Sequence, residues 1–489
     1  MSESIVHLSH YIAGEWLAAN GQEWTADINP SNATEVLASI PSGDATVVNH
    51  AVEAAQAGFE RWRTASGPQR AEILHQAANL LARRRQDLAT LVALEVGKPI
   101  GEALQEVDRG VVILRYFAEE AVQPAGVVTP VQQAASLQFT LRQPLGPVAV
   151  ISPWNFPVAI PLWKIAPALA YGNTVVWKPA ETASLTAARL TEVFVEAGIP
   201  AGVFNLILGK GSHLGSALVN HVGIQAITFT GSNEVGMGIV EQAARRNIKY
   251  QLEMGGKNAA LVLAYADLGQ AARLVASGAM RYAGQKCTAT SRAIVASEVS
   301  EAFLDRLKAE IRALPLAPAI DPGSAVGPLI TSGALEKVGS YAEMGFKIGQ
   351  VLMGGHQSDQ EKLKQGFFFE PTVVADVPND APLVQEEIFG PLLVVQRARS
   401  IDVVLSLANS TKFGLSVSLF TRDLNAALHY IQDIQRGMVR VNGDTTGVDP
   451  HAPFGGMRAS SSHSREQGPA AIEFFTETKT VQMNPAGGR

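Results

Sequence analysis

From residue 148 onwards, short apolar segments alternate with stretches of helical pattern, and this rhythm limits the possible fold more than any other feature. The apolar segments VAVIS, NTVVWK, VFNLIL and AITFTG are separated by helical patterns, among them 160–169 and 185–196. Strands that alternate with helices of ten or more residues form βαβ units and a parallel sheet. The sequence therefore predicts an α/β fold, with ligands bound at the carboxyl ends of the strands.

The rest of the chain adds a second lobe of the same kind and two different segments. After residue 257 the segment NAALVLAYA leads into a helix predicted over 268–283, the strand RAIVAS and a helix at 301–313. The first 120 residues contain the strand-like YIAGEW and Ala-rich helical patterns at 45–62 and 68–96, typical of a helical wrapper. Prolines and alternating β-branched residues at 124–144 predict a β-ribbon. We expect the strand-like tail ETKTVQM to pair with this ribbon of a neighbouring subunit.

Composition indicates a globular protein that acts on small molecules. Of the 489 residues, 47% are hydrophobic and 17% are charged, and the net charge is −6. This balance disfavours nucleic acid or an anionic membrane as the partner. The start of the chain lacks a basic stretch followed by an apolar run, and we expect a soluble, cytoplasmic protein.

Cysteine usage narrows the chemistry further. Cys287 is the only cysteine, so an intramolecular disulfide and a multi-thiolate metal site are excluded, and the ten scattered histidines predict no metal. By itself a lone cysteine is most often a small buried hydrophobe. Here it lies in GQKCT, beside Lys286 and a glycine that permits close backbone approach. A free thiol, with a pKa of about 8.5, needs a base or positive surroundings to react as a nucleophile.

Polar residues follow the predicted strands where a ligand of a parallel sheet would bind. These residues are Trp154, Asn155, Lys178, Glu181, Gly231 and Ser232. Glu253, in LEMGGK at the end of another strand, is the candidate base for Cys287, although alone it would be interpreted as a surface acid.

Six segments in order resemble the aldehyde dehydrogenase superfamily. They are SPWNFP, FTGSNEVG, LEMGGKN, GQKCTATSR, EEIFGP and PFGG, and the resemblance runs from YIAGEW to ETKTV. It implies a Rossmann-type dinucleotide-binding domain (1–121 and 142–253), an α/β catalytic domain (254–457) and a β-ribbon oligomerisation element (122–141 and 470–489). A homodimer or homotetramer is expected.

The resemblance also implies catalytic roles for five residues. Cys287 would be the nucleophile and Glu253 the base for Cys287 or for the hydrolytic water. Asn155 would donate its side-chain amide to the oxyanion, although a turn residue before Pro157 is the simpler interpretation. Lys164 and Glu466 match positions that contact the catalytic acid.

For the cofactor, the resemblance implies contacts along one crevice. The residues are Ile151, Ser152, Pro153, Trp154, Lys178, Ala180, Glu181, Gly211, Gly215, Phe229, Gly231, Ser232, Leu252, Glu387 and Phe389. An acid at position 181 favours NAD, because it accepts hydrogen bonds from a free 2′-hydroxyl and repels a 2′-phosphate. Lys178 could pair with that phosphate, so NADP stays possible.

For the substrate, the residues that the resemblance implies are Arg109, Phe156, Trp163, Arg281, Lys286, Thr288 and Phe454. An arginine can bind a carboxylate with both of its forked N–H groups, so Arg109 and Arg281 favour an acidic aldehyde unless they are solvated helix residues. GQKCTATSR, HAPFGGM and the serines at 460–462 are most similar to 2-oxoglutarate semialdehyde dehydrogenases, whereas many relatives have a shorter, glycine-containing stretch there. Succinate semialdehyde, glutarate semialdehyde and general aliphatic aldehydes remain alternatives.

Two other classes of protein compete with this interpretation. A thiol esterase or acyltransferase would also use a cysteine, but it would require a histidine base, and no histidine is implicated beside Cys287. A non-catalytic protein on the same scaffold would have lost Cys287, Glu253 or Asn155, and all three are present.

Overall fold

The computed structural model describes residues 5–18, 23–123, 126–133 and 135–486. Across these residues, none of the helices combines the length and the apolar character that a membrane crossing requires.

The N-terminal part consists of short strands followed by four helices. The elements are β1 (Val6–His7), β2 (His10–Ile12), β3 (Glu15–Leu17), β4 (Trp24–Asn29), β5 (Asn32–Pro41), α1 (Ala45–Trp62), α2 (Gly67–Arg83), α3 (Arg85–Val96) and α4 (Ile100–Glu120). Helix α1 begins where Asp44 accepts hydrogen bonds from the N–H groups of Thr46 and Val47. The single helix predicted over 68–96 is wrong in one respect, because the backbone of Arg84 leaves the helical region and divides it into α2 and α3.

The segment after α4 contributes β6 (Val128–Thr129) and β7 (Leu137–Pro144), and the first βαβ series follows. Its elements are β8 (Pro147–Ser152), α5 (Ala159–Ala170), β9 (Thr174–Pro179), α6 (Ser184–Glu196), β10 (Phe204–Leu206), α7 (Gly211–Asn220), β11 (Ala226–Thr230), α8 (Asn233–Arg246) and β12 (Lys249–Glu253). They form a seven-stranded sheet in the order β12-β11-β8-β9-β10-β2-β3, in which β8 to β12 pair in parallel. The predicted parallel sheet is confirmed.

The second series forms another seven-stranded sheet, in the order β15-β16-β17-β14-β13-β19-β20. Its elements, with the flanking helices and a two-stranded pair, are β13 (Asn258–Val262), α9 (Leu268–Met280), β14 (Thr290–Ala296), α10 (Ser300–Arg312), α11 (Ser332–Ile348), β15 (Gln350–Met353), β16 (Thr372–Ala375), α12 (Pro382–Gln385), β17 (Leu392–Ala398), α13 (Ile401–Asn409), β18 (Phe413–Gly414), β19 (Ser416–Phe420), α14 (Leu424–Asp433), β20 (Met438–Val441) and β21 (Met457–Arg458). Strand β13 is buried throughout, as expected for a central strand of a parallel sheet.

The chain ends with α15 (Ala471–Phe475) and β22 (Thr476–Met483). Strand β22 pairs antiparallel with β7 of the same chain, from Thr476 opposite Pro144 to Met483 opposite Leu137. The expected pairing of the tail with the ribbon of a neighbouring subunit is therefore wrong, because this edge of the ribbon is already occupied within the chain. The proposed domain boundaries stay a prediction, and β7 runs past the boundary placed at residue 141.

Candidate active site

The cysteine lies on a loop that leaves the end of α9 through an unusual turn. Tyr282 and Ala283 have φ values of 55° and 51°, and Gly284 follows with φ 67°. A Cβ atom at Gly284 would lie 2.3 Å from the carbonyl oxygen of Gly390, so only glycine fits there. The helix predicted to run to residue 283 ends at Met280, because these left-handed residues cannot continue it.

Buried amide side chains hold the loop in place. Gln285 donates to the carbonyl oxygens of Tyr282 and Pro328, at 3.3 and 3.1 Å, and accepts from the N–H of Ile330 at 3.0 Å. Asn258, at the start of β13, donates to the carbonyl oxygen of Cys287 at 2.8 Å. These bonds position the Cys287 backbone from two sides of the fold.

The thiol of Cys287 is protonated in this environment. Burial, followed by the carboxylates of Glu387 and Glu253, raises its pKa to about 12, while hydrogen bonds from Thr288 act in the opposite direction. The adjacent Lys286 does not activate the thiol, since its ammonium pairs with Glu102 at 2.7 Å. The positive charge next to Cys287 in the sequence is therefore neutralised by Glu102.

Cys287 opens onto a cavity of about 230 Å³, and six of the seven predicted substrate residues line it. These six are Arg109, Phe156, Trp163, Lys286, Thr288 and Phe454. Arg281 is not among the lining residues; it is half-buried immediately after α9. Its predicted role stays a prediction.

One wall of the cavity was missed by sequence reasoning. Helix α4 contributes Glu102, Gln105 and Glu106 together with Arg109. Their spacing of i, i+3, i+4 and i+7 is the signature of one helix face, and it could have identified them.

The charges on this wall are mostly paired. Glu106 is buried, forms an ion pair with Lys98, and accepts from the N–H groups of Val158 and Ala159 at 2.8 and 2.9 Å. The Arg109 guanidinium donates to the carbonyl oxygen of Val448 and forms no ion pair within the described residues, although Asp449 and Glu106 act on it electrostatically. Arg109 is therefore the cation of the cavity wall that can still bind an anion.

Glu253 lies at the end of β12, 2% exposed, with Ser461 donating to its Oε2 at 2.5 Å. Burial and the nearby Glu466 raise the pKa of Glu253 well above its usual value. Glu466 in turn forms a buried ion pair with Lys164. The three residues expected to act together are thus brought together.

Asn155 follows β8 and is 3% exposed. Its Nδ2 donates to the carbonyl oxygen of Gln285 at 2.9 Å, which ties the amide to the backbone two residues before Cys287. The simpler interpretation of Asn155 as a turn residue does not account for this tie. The position suits an amide that assists chemistry at Cys287.

The crevice predicted for the cofactor falls at the carboxyl ends of β9 and β10. Lys178 is 4% exposed, and burial lowers its pKa to about 8 although Glu181 acts to raise it. Its Nζ would lie 3.9 Å from a Cβ atom at Gly211, the first residue of α7. Oε1 of Glu181 is a buried acceptor without a hydrogen-bond partner among the described residues. An unpartnered acceptor beside an amine and a glycine-led helix N-terminus fits the ribose and phosphates of a dinucleotide.

Further predicted cofactor residues extend from this crevice towards Cys287. Trp154 packs edge-on against Phe389 at 5.7 Å. Glu387 accepts from the N–H of Gly256 at 2.9 Å, and Ser232 caps α8. The Oγ of Ser152 accepts a hydrogen bond from the Trp177 indole N–H at 2.8 Å. The remaining predicted residues lie along β8, β9, α7, β11 and β12 and in the adjoining loops: Ile151, Pro153, Ala180, Gly215, Phe229, Gly231 and Leu252.

Comparison with known proteins decides the family. The sequence pattern of the "Aldehyde dehydrogenase family" matches residues 16–481. The chain belongs to the aldehyde dehydrogenase family. It is accordingly an aldehyde-oxidising oxidoreductase, and the predicted fold class is confirmed.

Individual relatives match this aldehyde dehydrogenase over almost its whole length. It is 43% identical to "Alpha-ketoglutaric semialdehyde dehydrogenase" of Bacillus subtilis (strain 168) over 97% of this chain and 98% of the relative. It is 38% identical to "2,5-dioxopentanoate dehydrogenase" of Saccharolobus solfataricus over 96% of this chain and 98% of the relative. The crystal structure of betaine aldehyde dehydrogenase from Staphylococcus aureus in complex with NAD+ superposes with a TM-score of 0.95 at 31% identity, covering 98% of this chain and 95% of that one.

Proposed function

We propose that this enzyme oxidises 2-oxoglutarate semialdehyde, also called 2,5-dioxopentanoate, to 2-oxoglutarate with NAD. The observation that carries the proposal is a cavity in which Arg109, without a carboxylate partner among the described residues, lies with the thiol of Cys287. The names of the relatives from Bacillus subtilis and Saccharolobus solfataricus, at 43% and 38% identity, support the same substrate.

The positions of the side chains support the catalytic assignment. Glu253 takes the proton of the Cys287 thiol as the Sγ atom attacks the aldehyde carbon, and the oxyanion of the thiohemiacetal receives hydrogen bonds from the Asn155 amide and the Cys287 backbone N–H. Loss of hydride leaves a thioester, which is hydrolysed by a water that Glu253 deprotonates. Lys164 and Glu466 form a buried ion pair that acts electrostatically on Glu253, and we assign to this pair the removal of the proton from Glu253.

The crevice of Lys178 and Glu181 is the proposed NAD site. NAD supplies the hydride acceptor when bound. The Oε1 of Glu181, without a hydrogen-bond partner among the described residues, would accept from a ribose hydroxyl, while Lys178 and the N-terminus of α7 would hold the phosphates. The carboxylate of Glu181 would repel a 2′-phosphate, so NAD is preferred to NADP.

The substrate carboxylate is assigned to Arg109. A charge-assisted hydrogen bond contributes roughly 1.5–3 kcal/mol, which corresponds to a factor of about ten to a hundred in kcat/KM. Arg281 is retained as a second candidate for the same carboxylate, in a position outside the cavity lining. Succinate and glutarate semialdehydes carry the same two groups and are the alternative substrates.

We further propose a homodimer or homotetramer. The described ribbon leaves apolar side chains exposed, including Val128 at 73% and Met483 at 56%. Burial of such side chains against another copy is the usual reason for a surface of this kind. Size-exclusion chromatography with light scattering measures the assembly directly.

The experiment is a panel of aldehydes with NAD and NADP, followed by absorbance of the reduced cofactor. The panel compares 2-oxoglutarate, succinate and glutarate semialdehydes with uncharged aliphatic aldehydes. We expect the wild type to prefer acidic aldehydes and NAD, and Cys287→Ser to be inactive. Arg109→Met is expected to lose about ten- to a hundredfold in kcat/KM for acidic aldehydes only.

Arg115→Met is the matched control, because Arg115 is exposed on the same helix. A wild-type enzyme that prefers uncharged aldehydes would overturn the proposed substrate. If Arg109→Met and Arg115→Met had the same preference for acidic over uncharged aldehydes, Arg109 would not bind the carboxylate. Arg281→Ala would then test the other arginine. A large preference for NADP would overturn the role of Glu181.

A further inference from the structure

The proposed base is held by a hydroxyl group that motif comparison alone did not assign to the site. The Oγ of Ser461 lies 2.5 Å from Oε2 of Glu253, and the two residues are 9% and 2% exposed. Ser461 is the middle one of the serines at 460–462. A glycine or alanine at this position could not make the contact.

The direction of this hydrogen bond is determined by the neighbouring backbone. The Oγ of Ser461 accepts from the N–H of Gly456 at 2.6 Å, which leaves its own hydrogen available for Glu253. The other oxygen of Glu253, Oε1, has no hydrogen-bond partner among the described residues. A Cβ atom at Gly455 would lie 2.9 Å from that oxygen. The carboxylate is thus enclosed on one side and hydrogen-bonded on the other.

Backbone pairing keeps Ser461 opposite Glu253. The two residues form an antiparallel bridge. On either side, the N–H of Met254 donates to the carbonyl oxygen of Ser460 at 2.7 Å, and the N–H of Ser462 donates to that of Leu252 at 2.9 Å. The position of the hydroxyl therefore follows from the main chain, so loss of the hydroxyl alone leaves these bonds in place.

Electrostatics makes this single bond important. Burial and Glu466 raise the pKa of Glu253, whereas the Ser461 hydrogen bond, Lys164 and Arg465 lower it. A hydrogen bond donated to a carboxylate stabilises the ionised form over the protonated form. Ser461 opposes the two effects that would keep the base protonated.

We propose that Ser461 is a positioning residue that holds Glu253, by a donated hydrogen bond, in the orientation and charge state in which it takes a proton from the hydrolytic water. The inference rests on the proposed role of Glu253 as the base. In that step one proton of water passes to Glu253, the hydroxyl adds to the thioester carbon, and the carbon–sulfur bond breaks to release the thiolate of Cys287.

The test compares Ser461→Ala, Ser461→Gly and Ser461→Thr with the wild type. Thioester formation is read from the pre-steady-state burst of reduced cofactor, and hydrolysis from the steady-state rate, between pH 5 and 10. Without the hydroxyl, the acid limb of the hydrolysis rate is expected to move about 1 to 2 pH units higher, and Ser461→Thr is expected to restore it. The melting temperature is recorded for each variant.

Ser462→Ala is the matched control, because the Oγ of Ser462 accepts from the backbone N–H of Leu252 at 2.9 Å and donates to no carboxylate among the described residues. An acid limb that stays in place in both Ser461→Ala and Ser461→Gly, or one that moves equally in Ser462→Ala, overturns the inference. Glu253→Gln separates the two proposals. If that variant hydrolyses the thioester at the wild-type rate, the base assignment itself is wrong; if it is inactive while the Ser461 limb is unmoved, only the inference fails.

Discussion

Replacement of Lys98 by methionine tests how the wall of the cavity is stabilised. Lys98 is fully buried, pairs with Glu106, and lies 3.6 Å from the centroid of the Phe156 ring. Without the ammonium, Glu106 keeps only the N–H donors of Val158 and Ala159. Loss of one partner from a buried ion pair costs roughly 3–5 kcal/mol.

We therefore expect Lys98→Met to lower the free energy of unfolding by about 4 kcal/mol at pH 7, because the buried carboxylate of Glu106 loses its cation. The double variant Lys98→Met/Glu106→Gln is expected to recover most of the loss at pH 7, since glutamine still accepts the two N–H groups.

Urea unfolding followed by tryptophan fluorescence, at one protein concentration and pH 7, provides the measurement. The matched control is Arg85→Met, which removes a cation paired with Asp108 at 2.6 Å on the surface, where the side chains are 41% and 52% exposed. That loss should stay below about 1 kcal/mol. The reasoning is refuted if Lys98→Met lowers the free energy of unfolding by no more than Arg85→Met does at pH 7.

Two further predictions concern titratable groups. Burial, Glu95 and Glu181 raise the pKa of Asp27 to about 10, so its stabilising contribution is complete below the ordinary value of about 4 and is lost as pH rises towards 10. Asp27→Asn should reduce the fall of the melting temperature between pH 6 and 9. Over that range Asp27 lowers the free energy of unfolding of the wild type by at most about 1.4 kcal/mol per pH unit. Parallel melting-temperature curves for the two proteins would contradict this. For Cys287, a pKa of about 12 means that iodoacetamide alkylation of the cofactor-free enzyme should rise about tenfold per pH unit up to pH 10. Mass spectrometry reads this single cysteine without ambiguity, and a plateau below pH 9 would show that the thiol is already ionised there.

Much of the fold could be predicted because the relevant patterns are local. The helix expected at 45–62 matches α1, and the apolar segments VAVIS and AITFTG correspond to the paired strands β8 and β11. Asn155, Glu253 and Cys287 were identified by short segments whose residue types suit one reaction. Asn155 follows one strand and Glu253 ends another strand of one parallel sheet, whose carboxyl ends meet at one edge, whereas Cys287 lies on a loop before β14 of the other sheet.

The errors arose where distant parts of the chain decide the outcome. The helical pattern at 268–283 does not reveal that Tyr282 and Ala283 turn left-handed, because that turn depends on the close approach of Gly390 to Gly284. The tail could be predicted as a strand from its sequence, whereas its pairing with β7 of the same chain could not.

The sequence by itself determined the α/β class and predicted the nucleophile, the base and the amide, because strand rhythm and short motifs are properties of neighbouring residues. Only the tertiary structure decided the electrostatics of the site. It paired Lys286 with Glu102, left Arg109 without a carboxylate partner among the described residues, and brought Ser461 to Glu253. The physical reason is that burial and charge interactions depend on distances between residues far apart in the chain, and composition and spacing do not encode those distances.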